Sequence, residues 1–136
     1  MDFIRSIMVA AGGLKAQNSR MRTIAENIAN ADSTAQTPGG DPYRRKVSTF
    51  QSYFDREMGT EMVKPGRIVR DDTDFKTEFN PGHPAADANG YVKMPNVNTL
   101  VETMDMREAQ RSYEANLNVI GATRRMVLRT LDILRA

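Results

Sequence analysis

Apolar side chains recur near the start of the chain at steps that alternate three and four: Ile4, Ile7, Ala11, Leu14, Asn18, Met21, Ala25 and Ile28. Unbroken alternation of this kind is a heptad, the period of a helix that buries one face against another helix. It predicts a first helix over residues 3–31, about 45 Å long at the usual rise per residue, with Asp2 placed to cap it. Asn18 is the one polar member of the stripe. A polar residue there either fixes register at a cost in stability or faces water. Gly12 and Gly13 fall inside the helix, where each costs about 1 kcal/mol relative to alanine. They mark either a break or a place where another backbone comes close.

A second helical pattern runs from Thr99 to the end, with the stripe Met106, Ala109, Tyr113, Leu117, Ile120, Val127, Leu131 and Leu134. Thr99 and Glu102 have the spacing of a capping box. Glu102, Asp105 and Glu108 come early, while Arg124, Arg125, Arg129 and Arg135 come late, as the helix dipole favours. The steps 109–113–117 are both of four, which departs from a strict heptad and predicts a straighter seam. Residues 122–134 are apolar on more than one side, through Met126, Val127, Leu128, Leu131, Ile133 and Leu134. A single partner helix cannot cover such a stretch, and exposed apolar patches of this kind mark interaction surfaces.

Between the helices the character changes. Pro38, Gly39, Gly40 and Pro42 make residues 33–43 a loop. Residues 43–54 mix aromatic and β-branched residues with Arg44, Arg45 and Lys46, which suits a short strand or an extended arm. Arg67-Ile68-Val69-Arg70 and the alternation over 75–79 are the best strand signals, and 80–98 read as a Pro- and Gly-rich coil. The predicted class is therefore mainly α. Two long terminal helices (1–33 and 99–136) pack antiparallel as a coiled-coil-like pair, joined by a short irregular, β-containing middle segment (34–98). In an antiparallel pair, residues near 4 are expected beside residues near 134, with Gly121 at the level of Ala16.

Composition narrows the function. The chain has 136 residues, enough for one domain. Apolar residues make up 40% and mean hydropathy is −0.54, which is thin for a self-sufficient core. Nine methionines suit shared or imperfect packing. The absence of cysteine excludes disulfides and thiolate chemistry, and a single histidine, His83, excludes multi-histidine metal sites. A net charge of +2 gives no nucleic-acid footprint, since the densest basic run is the one that completes the second helix. No stretch approaches the ~20 apolar residues of a membrane span. The first residues do not form a convincing cleaved secretory signal.

Candidate chemistry is sparse. Asp71, Asp72, Asp74 and Glu78 contain the carboxylates of an acid/base pair, but acids in a loop are usually solvated. Asp87-Ala88-Asn89-Gly90 has part of the form of a calcium loop without its closing glutamate, so a turn is expected. His83, between Gly82 and Pro84, is expected in a rigid turn. No catalytic residue, cofactor, metal, nucleic acid or small-molecule substrate is expected. A helical assembly subunit fits best, with a generic coiled-coil adaptor or membrane-surface protein as the alternative.

Three segments add a resemblance. Gly13-Leu14-Lys15-Ala16-Gln17 through Ile24-Ala25-Glu26-Asn27-Ile28-Ala29-Asn30-Ala31 is similar to the start of flagellar rod, hook and related axial proteins. Glu108-Ala109-Gln110-Arg111-Ser112-Tyr113-Glu114-Ala115-Asn116, continuing to Leu131, is similar to their C-terminal helix. Asn80-Pro81-Gly82-His83-Pro84-Ala85-Ala86-Asp87, with Gly90-Tyr91-Val92 and Pro95-Asn96-Val97-Asn98, resembles the FlgC-type proximal rod proteins in particular. The resemblance covers essentially the whole chain. It implies a subunit that leaves the cytoplasm through the flagellar export apparatus without a cleaved signal. Such a subunit polymerises helically with copies of itself and other rod proteins, above the membrane ring, into a hollow periplasmic drive shaft. The residues expected to pack in it are Ile7, Leu14, Met21, Ile28, Tyr113, Leu117, Ile120, Val127, Leu131 and Leu134. The resemblance adds Asn27 and Asn30 as polar contacts near the end of the first helix. Long helices are marginal without tertiary packing, so the terminal helices are expected to be partly disordered before assembly.

Overall fold

A computed structural model describes residues 2–136. Its elements are α1 (Phe3–Ala29), β1 (Lys46–Asp55), β2 (Thr60–Arg70), β3 (Lys76–Phe79), β4 (Tyr91–Met94) and α2 (Thr99–Arg135). The two helices and their antiparallel pairing are as expected. The middle holds more strand than the sequence suggests. β4 lies within the stretch read as coil, and β2 runs straight through Pro65 and Gly66. Proline is tolerated because β1 and β2 form a sheet of only two strands, so each strand has a free edge that requires no ladder donor. Among the described residues no helix is long and apolar enough to cross a membrane.

The chain divides into two compact units. The first comprises residues 2–21, 48–67 and 107–136. Asp2 caps α1 as predicted, its Oδ1 accepting the Ile4 and Arg5 N–H groups at 3.2 Å. The helix continues unbroken through Gly12 and Gly13, and close approach explains both glycines. A Cβ on Gly12 would stand 2.8 Å from the Val63 carbonyl oxygen of β2, and one on Gly13 2.8 Å from the Asn116 side-chain amide of α2. Gly13 beside Asn116, and Arg20 paired with Glu108 at 3.7 Å, give the helix pair its antiparallel register.

That register differs from the expected one. Carried towards the start of α1, it brings the first residue of α1 level with about residue 126 of α2, counting turn for turn. Ile4 therefore does not lie beside Leu134, and Ile7 does not face Leu131. Gly121 meets no part of α1, its nearest neighbour being the Arg125 guanidinium on its own helix, 3.5 Å from where a Cβ would stand. Residues 127–135 of α2 run on past the point where Asp2 starts α1. In the same unit β1 and β2 form an antiparallel hairpin. The Thr49 hydroxyl donates to the Arg67 carbonyl at 2.6 Å, Tyr53 reaches the buried Met62 sulfur, and a turn closed from the Gly59 N–H to the Asp55 carbonyl joins the strands.

The second unit comprises residues 22–47 and 68–106. β3 and β4 pair antiparallel, Lys76 with Met94 through Phe79 with Tyr91. The last pair stacks edge to face at 5.3 Å. Asp87 makes the expected turn, its Oδ1 accepting the Asn89 and Tyr91 N–H groups. Gly90 completes that turn at a φ of 84°, where a Cβ would strike the Phe79 ring at 2.9 Å. His83 also sits in a turn, as expected. Its Nδ1 accepts the Ala85 N–H, so in the neutral ring Nε2 carries the proton that faces the Thr34 hydroxyl at 3.2 Å.

Candidate assembly surface

The faces the two helices turn inward are heptads; that of α1 is not the predicted stripe, while that of α2 shares Met106, Ala109, Tyr113, Ile120 and Val127 with it. On α1 the non-exposed line is Phe3, Ser6, Ala10, Gly13, Gln17, Arg20, Ile24 and Asn27, one residue behind the predicted stripe throughout. The predicted Ile4, Ala11, Asn18 and Ala25 are all exposed, and Asn18 therefore faces water. On α2 the line is Glu102, Met106, Ala109, Tyr113, Asn116, Ile120, Thr123 and Val127. Asn116 takes the place expected for Leu117. Alternation of three and four is thereby restored, and the predicted departure from a strict heptad is corrected. Small residues hold this seam: Ala10, Ala16 and Ala109 are all buried.

What stays outside is correspondingly apolar. In the first unit Leu117, Leu131 and Leu134 are 46%, 48% and 77% exposed, and Ile4, Val119, Met126, Leu128 and Ile133 are exposed with them. Ile7, Leu14, Met21, Tyr113, Ile120 and Val127 are half-buried. The hairpin adds Phe50, Tyr53 and Phe54, all exposed. In the second unit Leu100, Val101 and Met104 stand out from the first turns of α2, Phe79 and Tyr91 stand out from β3 and β4, and Ile28 is half-buried. Apolar area at this density is what a subunit with partners presents.

The second unit also holds a buried polar centre. Asn27 is wholly buried and every one of its hydrogen-bonding positions is used. Its Nδ2 donates to the Lys46 carbonyl at 2.7 Å and to Glu102 Oε2 at 3.1 Å, while its Oδ1 accepts from the Lys46 N–H and the Tyr43 hydroxyl, both at 2.9 Å. Two of those bonds are to the backbone of the first residue of β1, so the side chain acts there as a neighbouring strand would. Glu102 is equally buried, and its Oε1 receives the Arg45 Nε–H. Arg45 also bonds Asp71 at 3.2 Å and lies 3.9 Å from Asp105. Its backbone N–H is held by Asn96 at 2.7 Å. Lys46 pairs with Glu26.

Electrostatics follow this wiring. Burial works against the Arg45 charge, but the hydrogen bond and charge of Glu102, then those of Asp71, outweigh it and raise its pKa. The Thr73 backbone N–H holds the Asp71 carboxyl below the ordinary value; burial opposes this, and the Thr73 hydroxyl and Arg45 reinforce it. Burial first, then the charges of Glu26 and Glu102, raise the Tyr43 phenol. Asp71 is thus a partner of Arg45. Asp72, Asp74 and Glu78 lie exposed. No cluster of three metal-ligating side chains occurs among the described residues.

Asn30 is half-buried and finishes α1, its Nδ2 donating to the Glu26 carbonyl at 2.9 Å and its Oδ1 accepting the Ser33 hydroxyl. At the start of α2 the capping box is not formed. Asn98 is the cap, its Oδ1 accepting the Leu100 and Val101 N–H groups at 3.1 and 3.4 Å, one residue before the predicted Thr99. Arg45, Tyr43 and Asn96 escaped the sequence reading. Arg45 and Glu102 stand 57 residues apart, and no local pattern links them.

A family described as "Flagella basal body rod protein" matches residues 7–35, and one described as "Flagellar basal body rod FlgEFG protein C-terminal" matches residues 88–133. The chain is 56% identical to the flagellar basal-body rod protein FlgC of Agrobacterium fabrum, over 94% of this chain and 92% of that one. It is 41% identical to the protein of that name from Salmonella typhimurium over 98% of both chains. To the one from Bacillus subtilis it is 38% identical, over 98% of this chain and 99% of that one.

Proposed function

Because the chain belongs to the FlgC family of flagellar basal-body rod proteins, we propose that it is a structural subunit of the bacterial flagellar rod. In this reading many copies join, with other rod proteins, through unlike faces repeated by a screw operation that does not close into a ring. The product is a hollow proximal shaft that carries torque and lets exported subunits pass. The observation that carries the reading is the division of labour on the helices. The intrachain seam closes where the small residues Ala10, Gly13, Ala16 and Ala109 let the backbones approach, which leaves Leu117, Leu131 and Leu134 to be covered by neighbours.

The packing and assembly residues are Ile7, Leu14, Met21 and Ile28 of α1, and Tyr113, Leu117, Ile120, Val127, Leu131 and Leu134 of α2, with Tyr113, Ile120 and Val127 on the line that α2 turns inward. Asn27 and Asn30 shape the end of α1 that presents them. The chain reaches the basal body through the flagellar export apparatus without a cleaved signal and is built in the periplasm above the membrane ring. Torque transmission requires no chemistry, and the chain acts as material and not as an enzyme. A generic coiled-coil adaptor or membrane-surface protein finds no support in the family to which the chain belongs. Deleting the gene in its bacterial host and imaging isolated basal bodies by electron microscopy tests the proposal. Loss of rod and hook with the membrane ring retained is expected, and intact flagella would end it.

A further inference from the structure

We propose that Asn27, Arg45 and Glu102 form a docking latch, which sets the residue at which α2 begins and makes three chain segments order together. The latch lies wholly within the second unit and does not depend on what covers the apolar faces.

The Glu102 carboxylate is 1% exposed, and its two oxygens are taken by Arg45 Nε and Asn27 Nδ2. A carboxylate buried to this degree is tolerable only while both partners are in place, because stripping away one leaves an uncompensated charge. Asn27 has no spare capacity, since its remaining bonds hold the Lys46 backbone and the Tyr43 hydroxyl. The end of α1, the segment 43–46 and the start of α2 therefore complete one another. Remove the segment and Glu102 has nothing to neutralise it.

Glu102 also has a second use, and the two uses exclude each other. Thr99 and Glu102 are spaced as a capping box, in which the glutamate side chain reaches back to the N–H of the cap residue. A helix start with no docked neighbour would adopt that arrangement. In the folded chain Asn98 is the cap, and the Glu102 side chain is committed to Asn27 and Arg45. Docking of residues 43–46 thus draws Glu102 inward and moves the cap from Thr99 back to Asn98, so that Thr99 is the first helical residue.

Hydrogen–deuterium exchange on the full chain tests the latch, read at residues 22–30, 43–47 and 98–106. All three segments are expected to be protected in the unsubstituted chain. Arg45→Met should speed their exchange together by at least about tenfold, the mark of a stranded buried charge. Adding Glu102→Met to it should recover most of the protection, since no charge is then left to strand. Thr99→Ala should be silent in the unsubstituted chain and speed exchange at 98–106 several-fold in the Arg45→Met background. Unprotected segments in the unsubstituted chain, unchanged exchange in Arg45→Met, or a double variant no better than the single one would overturn the latch. An equal effect of Thr99→Ala in both backgrounds would overturn the shift of helix start.

Discussion

An alanine at position 12 would place its Cβ 2.8 Å from a backbone oxygen, that of Val63, which cannot swing aside as a side chain can. The same exchange at position 121 meets nothing nearer than the 3.5 Å contact with the Arg125 guanidinium. Alanine normally gains about 1 kcal/mol over glycine inside a helix. Gly121→Ala should realise that gain as a higher melting temperature, whereas Gly12→Ala should melt lower despite its better propensity. Asp71 provides a second test at this scale. Its folded pKa is depressed, so its contribution to stability is complete above the unfolded value of ~4 and is lost as pH falls through the folded value. Asp71→Asn should be less stable at neutral pH, and the gap between its urea midpoints at pH 7 and pH 3 should be narrower than that of the native chain. Residues of this kind were legible in part. The Asp2 cap and the Asp87 turn follow from bonds to neighbours in sequence, which local patterns encode. Arg45 and Asn96 act through partners far along the chain, and for them no local pattern exists.

Each helix was legible in length and partner, but the rotation of α1 and the register of the pair were misread. The period 3.5 of α1 and the antiparallel pairing followed from the spacing of apolar residues, whereas α2 was misread as departing from the heptad. The face that α1 pairs within the chain did not, because apolar residues mark whichever face loses the most water in the end. Here that face is mainly the one left open, and the closed seam is held by Ala10, Gly13, Ala16 and Ala109, which let backbones approach. One residue of offset is about 100° of rotation on a helix. The expected register erred for the same reason, as it matched the apolar ends and not the small residues. Cross-linking separates the two registers. A Cβ at position 13 lies 3.1 Å from the Asn116 Cγ, so cysteines at Gly13 and Asn116 should form a disulfide on mild oxidation, while a pair at Ile7 and Leu131 should not. The first part of β2 escaped prediction because Pro65 and Gly66 usually break strands, while Arg67–Arg70 was read as strand. Here the proline falls in a sheet of only two strands, and the glycine makes room for Thr49, whose hydroxyl lies 2.5 Å from where a Cβ would stand.

For the whole molecule, the separation of inner seam from outer face predicts a separation of phenotypes. Leu117 is 46% exposed in the single chain, so Leu117→Asp should leave the melting temperature of the purified protein nearly unchanged while abolishing incorporation into basal bodies and swimming. Normal swimming of this variant would count against the assembly surface. A dilute solution should also show less helix by circular dichroism than the 27 and 37 residues of α1 and α2, with the loss concentrated over 117–135. There α2 lies largely exposed and runs past the point at which Asp2 starts α1, while 22–30 and 98–106 stay held by the polar centre.

That overrun has a consequence for how variation in this protein is to be judged. Residues 128–135 are exposed and have no counterpart on α1, so a substitution there does little to the free energy of the single chain. Folding assays, expression yield and any ranking of variants by thermal shift would score these positions as tolerant. A motility screen of the same library should score several of them as intolerant, beginning with Leu131 and Leu134. For the last turns of α2, information about fitness resides in the neighbours, and a measurement made on one molecule at a time is blind to it.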